Sequence, residues 1–219
     1  MMQTSTRATL ASLVGLERAG LRDEGLAVLR GVTGGLMTGH GAQKLFGAFS
    51  GPGLKGTAGF MEHLGLQPGR LWGAAAALSE FGGGALTTLG FLYPLGSIAT
   101  ISSMTMATAK AHWGKPIWVS EGGAETPLIN IAVSMALALT GPGKYSLDEA
   151  LGVRLPKWVV AAAILVAGAG VGYGILTQPA PAQQTPSETA AEAPATPGSP
   201  EKASVGPASD ELASASPVS

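Results

Sequence analysis

"GLMTGHGAQKLFG", Gly35 to Gly47, decides how the rest of the chain is read. It is mostly apolar or small, yet it carries His40, Gln43 and Lys44. Extended back to Leu26, the run through Phe46 is long enough, at about 1.5 Å per residue, to cross roughly 30 Å of hydrocarbon. A charge at mid-bilayer costs from about 3 to over 10 kcal/mol, so an ionisable residue in such a run is a functional hypothesis whose partner must be named.

The composition agrees with a bilayer. Of 219 residues, 46% are hydrophobic and only 12% charged, against about 25% charged in an ordinary soluble domain. Glycine, at 33 residues, lets helix backbones approach closely in membranes. With no cysteine, disulfides, thiolate metal sites and cysteine nucleophiles are excluded. A net charge of -1 without a basic, aromatic-interleaved run gives no nucleic-acid partner. No metal site is expected.

The expected fold class is all-α, a polytopic membrane helix bundle. After the first span comes a Gly-rich connection in which "TAGFMEHLG" (Thr57–Gly65) spaces Phe60 and Leu64 as one amphipathic, interfacial helix. Leu71–Tyr93 is a second span whose only charge is Glu80, and Leu95 to about Trp113 a third. Leu128–Thr140 is short for a fourth crossing unless Gly122–Thr126 belongs to the same helix. Trp158–Leu176 is uncharged, and its Gly168, Gly170, Gly172 and Gly174 form two overlapping G-x-x-x-G patterns suited to a second copy of the chain. The organisation expected is an N-terminal cytoplasmic segment 1–24, a four-helix core 25–152, an additional span 153–177 and a Pro/Ala/Ser/Glu-rich disordered tail 178–219. Arg7, Arg18, Arg22, Lys144, Arg154 and Lys157 fall on one side and place the N-terminus in the cytoplasm by the positive-inside rule.

Counting from Gly25, His40 lies about 22 Å and Lys44 about 28 Å up the first span, while Glu80 lies about 19 Å above Tyr93 in the second. Glu80 is thus expected to reach His40 or Lys44. Lys110 and His112 end the third span on the same outer side, where Glu121 and Glu125 open the fourth, extending a polar cluster. Arg30 shares a face with Gly34, Met37, Gly41 and Lys44, which turns it toward protein; it either snorkels or donates to carbonyls at neighbouring helix ends. His40 and His112 lack the second pair that a haem site would call for.

"LRGVTGGLMTGHGAQKLFG", "GTAGFMEHLG", "SEFGGGALTTLGFLYPLG" and "GGAETPLINIAVSMALALTGPGKYSLDEALG", in that order, resemble the DoxX family of small bacterial membrane proteins. The resemblance implies a four-helix core with Arg30, the Gly39–Lys44 stretch and Glu80 at recurrent polar positions, in the bacterial plasma membrane. It also implies a subunit or anchor of a quinone-linked oxidoreductase system, with other subunits or soluble redox enzymes as partners. On that reading no cofactor is held covalently, His40 or Lys44 donates to a quinone carbonyl, and Glu80 with His40 relays a proton. The alternatives are a non-catalytic scaffold that recruits soluble enzymes and a small-solute or proton transporter.

Overall fold

The computed structural model describes the backbone of residues 2–177 and the side chains of residues 21–177. The tail 178–219 and the side chains of Arg7 and Arg18 lie outside the described residues. Seven α-helices follow one another: α1 (Met2–Phe46), α2 (Gly53–His63), α3 (Gly69–Leu89), α4 (Leu95–Ala111), α5 (Glu125–Thr140), α6 (Leu147–Leu151) and α7 (Lys157–Thr177). Among the described residues there is no strand. The architecture is all-α.

Helix boundaries follow local chemistry. No proline interrupts α1, which passes through Gly25 without a break and stops where Gly47 adopts φ 71° and Pro52 follows. The end of α3 is set by Gly90 at φ 60°, with Gly90 N–H donating to Thr87 O and Phe91 N–H to Leu86 O, the paired bonds of a Schellman motif. α5 begins at Glu125 and holds 16 residues, so Gly122 to Ala124 do not lengthen it; Gly122, at φ 76°, caps a preceding 3-10 turn. Only α7, with 21 residues, is long and apolar enough by length and composition to cross a membrane among the described helices. α4 and α5 are shorter, and α3 dilutes its apolar residues with glycine and with Arg70, Ser79, Glu80, Thr87 and Thr88.

α3 is the central helix, lying along α1, α2 and α4, while α4 also carries α5 and α7. Small residues make these approaches possible. A Cβ on Gly34 would come closer than 3.0 Å to Thr88, one on Gly41 to the Phe81 backbone and one on Gly84 to Thr38. These pairs fix α1 and α3 as antiparallel neighbours in backbone contact. Gly83 meets Ala99 and Gly96 meets Thr87 in the same way between α3 and α4.

The distribution of polarity is inverted relative to a soluble bundle. Arg30, Thr57, Glu80, Thr100, Ser134 and Asp148 are buried, whereas Val28, Val32, Leu36, Leu71, Leu78, Ile129 and Leu139 are exposed. On α2 the buried face is Thr57, Ala58 and Met61, continued by Leu64. Phe60 is half exposed, which corrects its expected pairing with Leu64. The reason is that Gly69 and Gly73 of α3 admit the backbone of Ala58, and this turns Phe60 outward.

Candidate functional site

The stripe of Arg30, Gly34, Met37, Gly41 and Lys44 turns toward protein as its spacing predicts: Arg30 is 5% and Met37 2% exposed, and both glycines are buried. At the far end of this stripe Lys44 forms an ion pair with Glu80 Oε1. Glu80 is 3% exposed and the Lys44 side chain 28%. Among the described residues Glu80 Oε2 is buried without a hydrogen-bond partner, as are Arg30 Nε and Thr87 Oγ1. Thr57 ties α2 to this corner by donating to Lys44 O at 3.3 Å and Gly53 O at 2.8 Å. Phe46 and Phe81 pack edge to face beside it, with centroids 5.4 Å apart.

Gln43 is half-buried, and its Cβ and backbone lie where a Cβ on Gly51 would have to go. His40 is exposed and stands off the stripe, so Glu80 meets Lys44 rather than His40. Depth counted along Cα atoms placed His40 and Glu80 level, but a helical side chain leans toward its own N-terminus. In antiparallel helices that lean carries the Glu80 carboxylate up α1 and brings the Lys44 ammonium down to meet it. His40 is carried away from Glu80 by the same lean.

The secondary candidates do not gather around Glu80. His112 Nδ1 lies 2.7 Å from Gly122 O, and Glu125 accepts from Val119 N–H at 2.9 Å. Both organise the α4–α5 connection. Lys110 is buried at the end of α4, and Glu121 is exposed. In α7, Gly174 is packed against Met106 and Trp72, with Trp72 stacked on Tyr173; Gly168, Gly170 and Gly172 face open space.

A second polar centre lies at the opposite end of α1. Arg30 donates to Pro142 O at 2.5 Å and to Tyr145 O at 2.6 Å. Asp148 accepts from Leu92 N–H at 2.9 Å and Tyr93 N–H at 2.8 Å, and its own N–H donates to Gly90 O. Ser146 Oγ accepts from Glu149 N–H at 3.2 Å and donates to Gly143 O at 2.7 Å. A Cβ on Gly90 would collide with the Arg30 guanidinium and Ser146, so this glycine is required for space as well as for its φ. Sequence reading found Arg30 and its carbonyl partners as a class but missed Asp148 and Ser146. The signal was present in "SLDE" (Ser146–Glu149), the S-x-x-E spacing of a helix start.

Comparison with known proteins bears on this geometry. Residues 25–113 match the family model described as DoxX. Over these residues the chain is similar to the DoxX family. No curated protein and no solved structure matches the chain. The matched stretch holds Arg30, Lys44 and Glu80, and the DoxX family is membrane-associated. α5, α6 and α7 lie outside the matched residues, so Asp148 joins the matched stretch from beyond it.

Proposed function

We propose that this protein is a multi-span subunit or anchor of a quinone-linked oxidoreductase system in the bacterial plasma membrane. The observation that carries this reading is the unpartnered, buried Oε2 of Glu80. Buried polar atoms normally have at least one hydrogen-bond partner, because an unmet one retains its desolvation penalty. Here one oxygen is engaged by Lys44 and the other is left to a donor from outside the chain. A quinol hydroxyl is such a donor, and Oε2 would accept its hydrogen bond, whereas in the oxidised quinone Lys44 would offer an N–H to a ring carbonyl. The Phe46 and Phe81 rings give the apolar wall that a quinone ring packs against.

The multi-span reading rests on the exposed apolar residues. Val28, Val32 and Leu36 on α1, Leu71 and Leu78 on α3, and Ile129, Met135 and Leu139 on α5 are large apolar side chains left exposed on three helices, the kind of surface that membrane contact covers. Lipid is the natural covering. On this reading residues 25–152 form the core, 153–177 an additional span, and the end bearing Arg22, Lys144, Arg154 and Lys157 faces the cytoplasm.

A scaffold reading is favoured by one feature, the way Lys44–Glu80 and Arg30 both cross-tie helices at opposite ends of α1. Titration of the detergent-solubilised protein with a ubiquinone analogue separates the two. Saturable binding that Glu80→Gln weakens at least tenfold supports the quinone site. Absence of binding to the parent protein, together with soluble enzymes that co-purify regardless of Glu80→Gln, replaces it with the scaffold.

A further inference from the structure

At the Arg30 end, a cavity of about 770 Å³ opens between the start of α1's core stretch, the end of α5, α6 and the first turn of α7. Its volume lies within the range of ligand pockets, about 300–1,000 Å³. Its lining is split. Leu26, Ala138, Leu155 and Val160 are apolar, and Arg22, Lys144, Arg154 and Lys157 bring positive charge.

Three acidic side chains share the lining; Glu149 is ion-paired, while Asp148 and Asp23 are hydrogen-bonded to backbone and keep their charge, so the four cations exceed the three carboxylates by one. Both Asp148 oxygens accept backbone N–H groups, Glu149 pairs with Arg154 at 2.7 Å, and Asp23 accepts from Lys144 N–H at 3.2 Å. Arg22 spends one N–H on Thr140 O. The Lys144 and Lys157 ammonium groups make no hydrogen bond or ion pair with the described residues. Two cations without an ionic partner among the described residues therefore flank an apolar wall.

The cavity's level is marked by α7, the span-length helix, whose first residue is Lys157. Trp158, 73% exposed, follows it directly, as aromatic residues do at the membrane–water interface. A pocket at that level with cations on one side and apolar residues on the other fits an anionic amphiphile. We propose that it is a binding site for the headgroup of an acidic phospholipid, its phosphate between Lys144 and Lys157 and its first acyl carbons against Leu26 and Val160. This site is separate from Lys44–Glu80, which lies about 30 Å away along α1.

The test uses the full chain in detergent micelles containing equal amounts of phosphatidylglycerol and phosphatidylcholine, with lipid retention read by native mass spectrometry. The expected result is one retained phosphatidylglycerol, preferred about tenfold or more over phosphatidylcholine, since each lysine near an acidic lipid contributes about 1 kcal/mol. Lys144→Gln with Lys157→Gln removes that preference, whereas Lys55→Gln with Lys115→Gln, on exposed lysines elsewhere, leaves it intact. Equal retention of both lipids by the parent protein overturns the proposal, as does a preference that survives the Lys144/Lys157 change. Displacement of phosphatidylglycerol by millimolar inorganic phosphate overturns the lipid assignment in favour of a free anion.

Discussion

Two buried charges stand at opposite ends of the α1–α3 contact, and they are served very differently. Arg30 gives two N–H groups to the carbonyls of Pro142 and Tyr145 and keeps its Nε–H buried without a partner among the described residues, while the surrounding Asp148 and Ser146 hydroxyl are matched. Glu80 has Lys44 for one oxygen and nothing for the other. Burial alone does not distinguish a structural charge from a chemical one, and neither does a single unpartnered atom, since Arg30 Nε and Glu80 Oε2 both lack a partner among the described residues; what differs is that Arg30 is tied to two backbone carbonyls and Glu80 to one side chain. A charge whose hydrogen bonds are provided by the backbone of adjacent loops acts as a clasp. A charge with a vacant acceptor position is available to a ligand.

The clasp is where the largest effect is expected. Arg30→Ala leaves two carbonyls and a small void at the junction of α1 with the α5–α6 loop, and each charge-assisted bond of this kind is worth about 1.5–3 kcal/mol. The thermal unfolding midpoint in detergent is expected to fall by the equivalent of about 3 kcal/mol or more. A loss below about 1 kcal/mol would show that the clasp is idle. Arg30→Lys is expected to recover little, since one ammonium does not span both carbonyls as the guanidinium fork does.

Next comes Gly41→Ala, which puts a methyl group into the Phe81 backbone near the other end of the contact. Overpacking of this kind costs about 1–3 kcal/mol, and the same unfolding measurement reads it. Gly39→Ala, whose Cβ meets nothing within 4 Å, is expected to be neutral or slightly stabilising, so the pair isolates contact from helix propensity.

Glu80→Gln sharpens the comparison because its two readouts diverge. The Lys44 side chain is 28% exposed, so an orphaned ammonium turns toward the aqueous end of α1 instead of remaining buried. Stability is expected to drop by only about 1–2 kcal/mol, well below the about 3–5 kcal/mol for half of a sealed pair. Quinone-analogue affinity falls at least tenfold. A large stability loss with unchanged affinity would move Glu80 into the same class as Arg30. The smallest effect is expected at His40, where His40→Gln should alter both stability and binding by less than about 0.5 kcal/mol, as for an exposed residue away from special features.

Much of the fold was legible because periodicity and punctuation are local. The stretches around α3, α4 and α7 and the Arg30–Lys44 stripe follow from apolar runs, helical spacing and the Gly and Pro residues that end them. The polar site was only partly legible. Arg30, Lys44 and Glu80 were evident as costly residues in apolar runs, but the choice of Lys44 over His40 depends on which way side chains lean between antiparallel helices. Asp148 escaped notice because a carboxylate in a polar loop looks solvated until the fold sets it under the Leu92 and Tyr93 amides.

Composition by itself determined an all-helical, lipid-compatible chain, and spacing determined which face of α1 turns inward, because both depend on neighbours within a few turns. Tertiary structure alone decided which charges meet, that Gly174 is already occupied by Trp72 and Met106, and that cations from α1, the α5–α6 loop and α7 line one cavity. Those outcomes depend on backbone approach between segments far apart in sequence. Glycine positions allow such approach without specifying its partner.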